Sequence, residues 1–317
     1  MKTNLKTCLI ALLLSLPFWL GTNLLEKNLK DFFFWNKITS DEIFAAQVSL
    51  EERLWKTRPI LKSDVKPLEL SAESAISLYL GDDGQETVLF KKNANGRMPI
   101  ASLTKLMTAK VVFDEYDLEK EITVSKEAVL QEEDLGQLVS DRVYQVEYLL
   151  YPMLIESSND AAFSLAADYE GMTENKFVSL MNKKAREMGL LDTSFFNTTG
   201  LDPNKKESEN EINLSTAFDL ANLAKNLLDN HFLWEITTTQ IYDQYGPVLN
   251  NTNGLLAQVS GITGSKTGYT KKAGSCMLLV LRAPKNKGVI INILLNSKSR
   301  SEEMKRIINW SETAYQW

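Results

Sequence analysis

At 317 residues the chain is long enough for one or two hydrophobic cores, and its 44% apolar and 24% charged content is that of a folded globular protein. Thirty-five basic against 41 acidic residues leave a formal net charge of −6, which removes the electrostatic case for a nucleic-acid partner. With two cysteines, one of them inside an N-terminal apolar run, no disulfide is expected between Cys8 and Cys276.

Lys2 and Lys6 precede an uncharged stretch over residues 8–25, interrupted only by Ser15, Thr22 and Asn23. This pattern reads as an export signal. Because no small-x-small cleavage pattern closes it and its length approaches that of a membrane span, an uncleaved anchor is favoured over a removed signal peptide. The preceding lysines favour a cytoplasmic N-terminus, so the chain beyond about residue 30 is expected outside the cytoplasmic membrane. Residues 1–25 are thus a signal peptide or N-terminal membrane anchor, and residues 26–67 a linker. The Phe32-Phe33-Phe34-Trp35 cluster in that linker suits a membrane interface or a small packed segment.

The remaining span, 68–317, reads as one domain. Apolar runs at 75–80 and 87–91 flank Gly81-Asp82-Asp83-Gly84, which predicts a hairpin. Beyond Ser102, Leu103, Leu106, Met107 and Val111 recur at helical spacing, so Ser102 sits at a helix start. From about 125 to 231 the pattern is mostly helical, with 143–155 and 160–169 separated by a polar break at 156–159. Residues 274–281 and 289–295 read as antiparallel strands, and Cys276 as a small buried strand residue. Ser299 and Glu302 have capping-box spacing ahead of a last helix with Met304, Ile307, Ile308 and Tyr315 on one face. Strands at both ends around a helical middle predict an α+β fold, an antiparallel sheet flanked by helices with a mostly helical inserted region.

Three short motifs occur in order: Ser102-Leu103-Thr104-Lys105, Ser157-Ser158-Asn159 and Lys266-Thr267-Gly268. Singly they are weak, because Ser63 with Lys66 repeats the first spacing and Ser208 with Asn210 the second. Context decides between them. Pro67 would block the helix that the Ser63–Lys66 pair requires, and Ser208 has no helical flanks. Three apart on a helix, Ser102 and Lys105 project from one face, so the amine can reach the hydroxyl. A serine becomes a nucleophile only when a neighbour takes its proton, and a lysine can do this only when neutral. Burial and a second cation such as Lys266 would both favour that neutral form. The single histidine, His231, has no recognisable partner, which argues against a Ser-His-Asp triad and against a histidine-rich metal site. No cofactor and no metal are expected.

Together the motifs resemble those of penicillin-binding proteins and serine β-lactamases. Their flanks, Ile100-Ala101 and Leu106-Met107-Thr108-Ala109 around the first, Asp160-Ala161-Ala162 after the second, and Tyr269-Thr270 with Ala273-Gly274 after the third, resemble the low-molecular-weight D-alanyl-D-alanine carboxypeptidases. The resemblance spans about residues 68–317 and includes Asn253-Gly254-Leu255-Leu256. It implies a β-lactamase/transpeptidase-like fold and removal of the terminal D-alanine from peptidoglycan stem pentapeptides, with β-lactam antibiotics as inhibitors. By the same resemblance Ser102 forms the acyl-enzyme, Lys105 is its base and Ser157 relays the proton to the leaving amine. Asn159 holds the substrate amide, Lys266 and Thr267 bind the terminal carboxylate, Gly268 lets the substrate approach the strand, and the N–H groups of Ser102 and Tyr269 form the oxyanion hole, each donor typically worth ~3 kcal/mol of barrier.

Two departures stand out. Many relatives carry a histidine within the segment that here reads Asn197-Thr198-Thr199-Gly200-Leu201-Asp202, and several continue past the position of Trp317 into a small β domain and a C-terminal anchor. The N-terminal segment is therefore expected to be the membrane attachment. Three alternatives stay open: a β-lactamase, suggested by Glu209-x-x-Ile212-Asn213 but opposed by the carboxypeptidase-like Leu214-Ser215-Thr216-Ala217 that follows; a D,D-endopeptidase or transpeptidase; and a non-catalytic peptidoglycan-binding scaffold, opposed by the intact motifs.

Overall fold

Strand-forming and helix-forming stretches alternate along the chain in blocks, and the computed structural model, which describes residues 29–30, 58–132, 137–203, 210–244 and 246–317, assembles them accordingly. The expected signal or anchor, the aromatic cluster at 32–35, and the competing residues Ser208 and Glu209 lie outside the described residues. Contacts separate a unit ending at Arg58, of which Leu29 and Lys30 are described as helical, from one running from Pro59 to Trp317. Ser63 lies in a turn and Lys66 in the irregular stretch after it, with no helix to align them.

The second unit begins with β1 (Ile60–Leu61), β2 (Ser74–Leu80), β3 (Glu86–Lys92) and β4 (Met98–Pro99). A 3-10 turn, Ala101–Thr104, leads into helix α1 (Lys105–Glu115). The inserted region holds β5 (Glu121–Thr123), β6 (Val143–Gln145), α2 (Val146–Ile155), α3 (Asn159–Ala167), α4 (Glu174–Glu187), β7 (Leu214–Ser215), α5 (Ala217–Leu227), α6 (His231–Thr238), β8 (Ile241–Tyr242) and β9 (Leu249–Asn250). The chain then returns as β10 (Ile262–Thr270), β11 (Gly274–Arg282) and β12 (Val289–Ser297), and closes with α7 (Arg300–Ala314) and β13 (Tyr315–Gln316).

Five strands form the main sheet in the order β10-β11-β12-β2-β3, every neighbouring pair antiparallel. The expected hairpin of 75–80 with 87–91 is present as β2 and β3, as is the expected pairing of the last two long strands, and the fold is the α+β arrangement read from the sequence. Side chains alternate across the pleat. Cys276, Leu278 and Val280 face a core shared with α1 to α6, whereas Met277, Leu279 and Leu281 face a second core closed by Met304, Ile307 and Ile308 of α7. Each of these buried aliphatic side chains stabilises the fold by roughly 1.5–3 kcal/mol over an exposed one. The unit's ends are tied together, since β1 pairs with β13 and the Trp310 indole donates to the Lys66 carbonyl.

Two local expectations fail for identifiable reasons. Val143, Tyr144 and Gln145 are extended, because β6 pairs with β5 with Tyr144 opposite Ile122, and the helix starts only afterwards. At the last helix Ser299 is the N-cap residue, but its side chain makes no capping bond. The buried first-turn carboxylate is that of Glu303, which turns inward to accept from the Ser297 hydroxyl and the N–H groups of Ser71 and Ala72. Glu302 instead pairs with Lys305 on the surface.

Candidate active site

The nucleophile candidate is held by three elements. Helix α1 is buried almost all round, through Leu106, Met107, Thr108, Ala109, Val111 and Val112, which marks it as a core helix and draws Lys105 into the interior with it. Ser102 stands one turn earlier in the 3-10 segment, where its hydroxyl lies 3.0 Å from the Lys105 amine. The residue before it, Ala101, has φ of +47°, a left-handed conformation that costs a non-glycine residue about 1–3 kcal/mol and is kept only where the surroundings enforce it.

Edge strand β10 provides the enforcement. A Cβ on Gly268 would stand 2.9 Å from the Ser102 nitrogen and 3.1 Å from the Ala101 Cβ. The absent side chain thus lets the nucleophile turn lie directly on the strand, a role for Gly268 beyond the substrate access expected from the sequence. Gly200, at φ +86°, abuts the same turn from another direction, where an added Cβ would meet the Ala101 carbonyl oxygen at 2.0 Å.

The Lys105 amine is fully buried and lies within hydrogen-bond reach of three oxygens: the Ser102 hydroxyl, the Asn159 side-chain oxygen at 2.7 Å and the Thr199 carbonyl at 2.7 Å. Asn159 opens α3, and its amide nitrogen donates to the Glu132 carbonyl at 2.7 Å, which fixes the orientation of its oxygen toward the lysine. Ser158 caps that helix by accepting from the Ala161 N–H at 3.1 Å. Ser157, left-handed at φ +68°, points its hydroxyl at Lys266, whose ammonium donates to it at 2.8 Å and to the Thr267 carbonyl at 3.1 Å. The Thr267 hydroxyl lies 2.6 Å from that of Thr252.

Lys266 is enclosed, and burial together with the nearby Arg300 guanidinium pushes its amine down to about 7. Arg300 opens α7 and donates to the Gly268 carbonyl at 2.8 Å. A cation, Arg300, thus acts on Lys266 itself, an effect that the sequence reading did not include. Burial pushes the Cys276 thiol up to about 11, in keeping with a packing role. His231 is exposed at the first position of α6.

These groups converge on one cleft of about 300 Å3, lined by Ser102, Ser157, Asn159, Thr267, Gly268 and Tyr269, with Glu156, Gly200, Leu201, Thr252, Thr270 and Arg300 completing the wall. Lys105 and Lys266 stand behind it. All the residues read from the three motifs are therefore brought together. Sequence reading missed three contributors: Arg300, the Thr199 carbonyl, and Asn213. The Asn213 amide donates to the Thr104 hydroxyl at 3.0 Å and to the Asn197 carbonyl at 2.9 Å, while its oxygen accepts from the N–H groups of Phe196 and Asn197. Asn213 thereby ties the nucleophile motif to the 197–200 segment. No side-chain signal identifies a carbonyl such as that of Thr199, but Gly200 after a run of Asn and Thr marks a tight local backbone.

A serine hydroxyl within reach of a buried amine, facing a second serine–lysine pair on an antiparallel α+β scaffold, is the arrangement of a serine-type peptidase. The sequence profile of the D-alanyl-D-alanine carboxypeptidases matches residues 62–299, and the chain belongs to that family. It is 30% identical over 270 residues to the D-alanyl-D-alanine carboxypeptidase DacF of Bacillus subtilis, a match covering 80% of this chain and 66%, just under two thirds, of that protein. It is 31% identical over 258 residues to a D-alanyl-D-alanine endopeptidase of Pseudomonas aeruginosa, covering 77% of this chain and 78% of the relative. Among solved structures, the Streptomyces K15 DD-transpeptidase superposes with a TM-score of 0.70 at 26% identity, covering 78% of this chain and 99% of its own. Penicillin-binding protein D2 of Listeria monocytogenes, in its cefotaxime-bound form, superposes with a TM-score of 0.66 at 29% identity, covering 78% and 98%. Among the described residues no helix is long and apolar enough to cross a membrane.

Proposed function

We propose that the chain is a serine D-alanyl-D-alanine carboxypeptidase that removes the terminal D-alanine from peptidoglycan stem pentapeptides and is acylated by β-lactams. The observation that carries this reading is the 3.0 Å approach of the Ser102 hydroxyl to the buried Lys105 amine beside a cleft also lined by Ser157, to which Lys266 donates from behind. The neutral Lys105 amine takes the hydroxyl proton as the Ser102 oxygen attacks the carbonyl of the penultimate residue. Charge developing on the carbonyl oxygen is met by the N–H groups of Ser102 and Tyr269.

The C–N bond then breaks, and the departing D-alanine amine takes a proton relayed through Ser157. Water hydrolyses the resulting ester and restores Ser102. Asn159 holds the substrate amide, and Lys266, Thr267 and Arg300 face the terminal carboxylate. A lysine poised near 7 suits that task, because an arriving carboxylate favours its charged form. The apolar stretch at 8–25 would carry the enzyme to the outer face of the cytoplasmic membrane, as a signal or as an anchor, where its substrate is.

An acyl-enzyme can also be resolved by an amine or formed at a cross-link, and the endopeptidase and transpeptidase relatives support that second reading of the same cleft. A β-lactamase reading is less well supported, since the Asn213 amide is engaged by Thr104, Phe196 and Asn197, tying the nucleophile motif to the 197–200 segment. The test is D-alanine release from a pentapeptide ending in D-Ala-D-Ala. Release by the wild type and none by Ser102→Ala supports the carboxypeptidase. Rapid penicillin turnover without D-alanine release overturns it.

A further inference from the structure

A second cavity, of about 200 Å3, lies at the start of α2, lined by Arg142, Tyr144, Gln145, Glu147, Tyr148 and Tyr151. Its rings are fixed in place. Tyr144 and Tyr148 are stacked with centroids 5.3 Å apart and planes 8° apart, and the Arg142 guanidinium lies 5.3 Å from the Tyr144 ring. Tyr151 is stacked on Tyr242 at 4.1 Å and meets Phe232 edge-on. Rigid aromatic walls beside a guanidinium, a carboxylate and an amide are complementary to an amphipathic ring that has C–H faces and a polar rim. A pyranose has that form.

The groove's wall is linked to the cleft through the backbone. Tyr242 belongs to β8, β8 pairs with β9, and the Asn250 N–H of β9 donates at 2.8 Å to Glu156, which lines the cleft beside Ser157. The spacing also fits. From Ile155 back to Tyr148 is seven residues along α2, about 10 Å at the helical rise, and Glu156 and Ser157 of the cleft follow directly. A five-residue peptide reaches at most about 17 Å when extended. A stem peptide whose C-terminus lies at Ser102 would therefore bring its sugar-bearing end within reach of the tyrosines.

We infer that the Tyr144–Tyr148–Tyr151 groove is a saccharide subsite that binds the N-acetylated glycan bearing the stem peptide. This rests on the carboxypeptidase reading for its substrate, and the preorganised rings keep the ordering cost of binding small. The experiment uses the full-length protein and compares kcat/KM for a free pentapeptide with that for the same pentapeptide on a β-1,4-linked N-acetylated disaccharide. The wild type should prefer the glycosylated substrate roughly 3- to 10-fold, the range of one lost aromatic contact, and Tyr144→Ala and Tyr148→Ala should erase the preference while cleaving free pentapeptide at the wild-type rate. Arg142→Ala, at an exposed position, gives the same test if a tyrosine variant folds poorly.

A peptide-free β-1,4-linked N-acetylglucosamine tetrasaccharide titrated into Ser102→Ala should perturb tyrosine NMR signals, and Tyr144→Ala should abolish the effect. No wild-type preference, or a preference surviving in all three variants, overturns the subsite, as does tetrasaccharide binding that ignores Tyr144. Failure to cleave the free pentapeptide would strike the carboxypeptidase reading alone, because the tetrasaccharide titration reads the groove without turnover.

Discussion

Replacing Gly268 by alanine tests how the nucleophile is held. The new Cβ would lie 2.9 Å from the Ser102 nitrogen, 3.1 Å from the Ala101 Cβ and 3.3 Å from the Ile100 oxygen, so the strand or the turn must give by about half an ångström to restore ordinary contact. Neither yields easily. Strand β10 is laddered to β11 from Gly264 to Thr270, and Ala101 already occupies a left-handed conformation. Overpacking of this kind costs about 1–3 kcal/mol, and a reacting group displaced by about 1 Å can lose a hundredfold in rate, so half that displacement predicts roughly tenfold slower acylation. The assay is the second-order rate of acylation by a fluorescent penicillin beside a thermal melt, in which each kcal/mol corresponds to roughly 2–4 °C for a unit of this size. Gly254→Ala is the control, since a Cβ there meets nothing within 4 Å. If Gly268→Ala acylates within about twofold of the wild type and melts with it, the turn does not depend on close approach to the strand.

Three further outcomes follow from the site. An unfolded lysine has its ordinary value of 10.5, and Lys266 is held at about 7 in the fold, so the unfolded state binds more protons between those values and stability attributable to Lys266 rises with pH across that window. Urea midpoints of wild type and Lys266→Met measured from pH 7 to 9 should show the wild type gaining relative to the variant, and a parallel pair of curves would contradict the shift. Asn213→Ala leaves the buried Thr104 hydroxyl and the Phe196 and Asn197 N–H groups short of partners, with an expected loss of about 3 kcal/mol in urea unfolding and slower acylation; an unchanged midpoint would remove it as a tie between the nucleophile motif and the 197–200 segment. Cys276, buried with its thiol pushed up to about 11, should react with iodoacetamide only on unfolding, and Cys276→Ala should keep full acylation.

The reacting groups were legible because their chemistry resides in side chains at fixed spacing. Serine and lysine three apart before a helical apolar pattern could only meet on one face, and their amine and hydroxyl do meet. The sheet was legible from β-branched and leucine-rich runs broken by turn residues. What was hidden involves either backbone groups or distant partners. The Thr199 carbonyl that receives the Lys105 proton donor has no signature in sequence, and Arg300 enters from a helix start that reads as a capping site. The 143–145 strand was misread because Val143 and Tyr144 also satisfy a helical period, and only the pairing with 121–123 decides between them. The Ser299–Glu302 box failed because Glu303, one residue on, is needed by the N–H groups of Ser71 and Ala72.

The mechanism makes Ser102 the acylated residue. Denaturing mass spectrometry after brief exposure to benzylpenicillin, followed by peptide mapping, tests it most directly. A single penicilloyl adduct on the peptide containing Ser102, absent from Ser102→Ala, is the predicted result; an adduct on any other residue, or one that persists in Ser102→Ala, would contradict it.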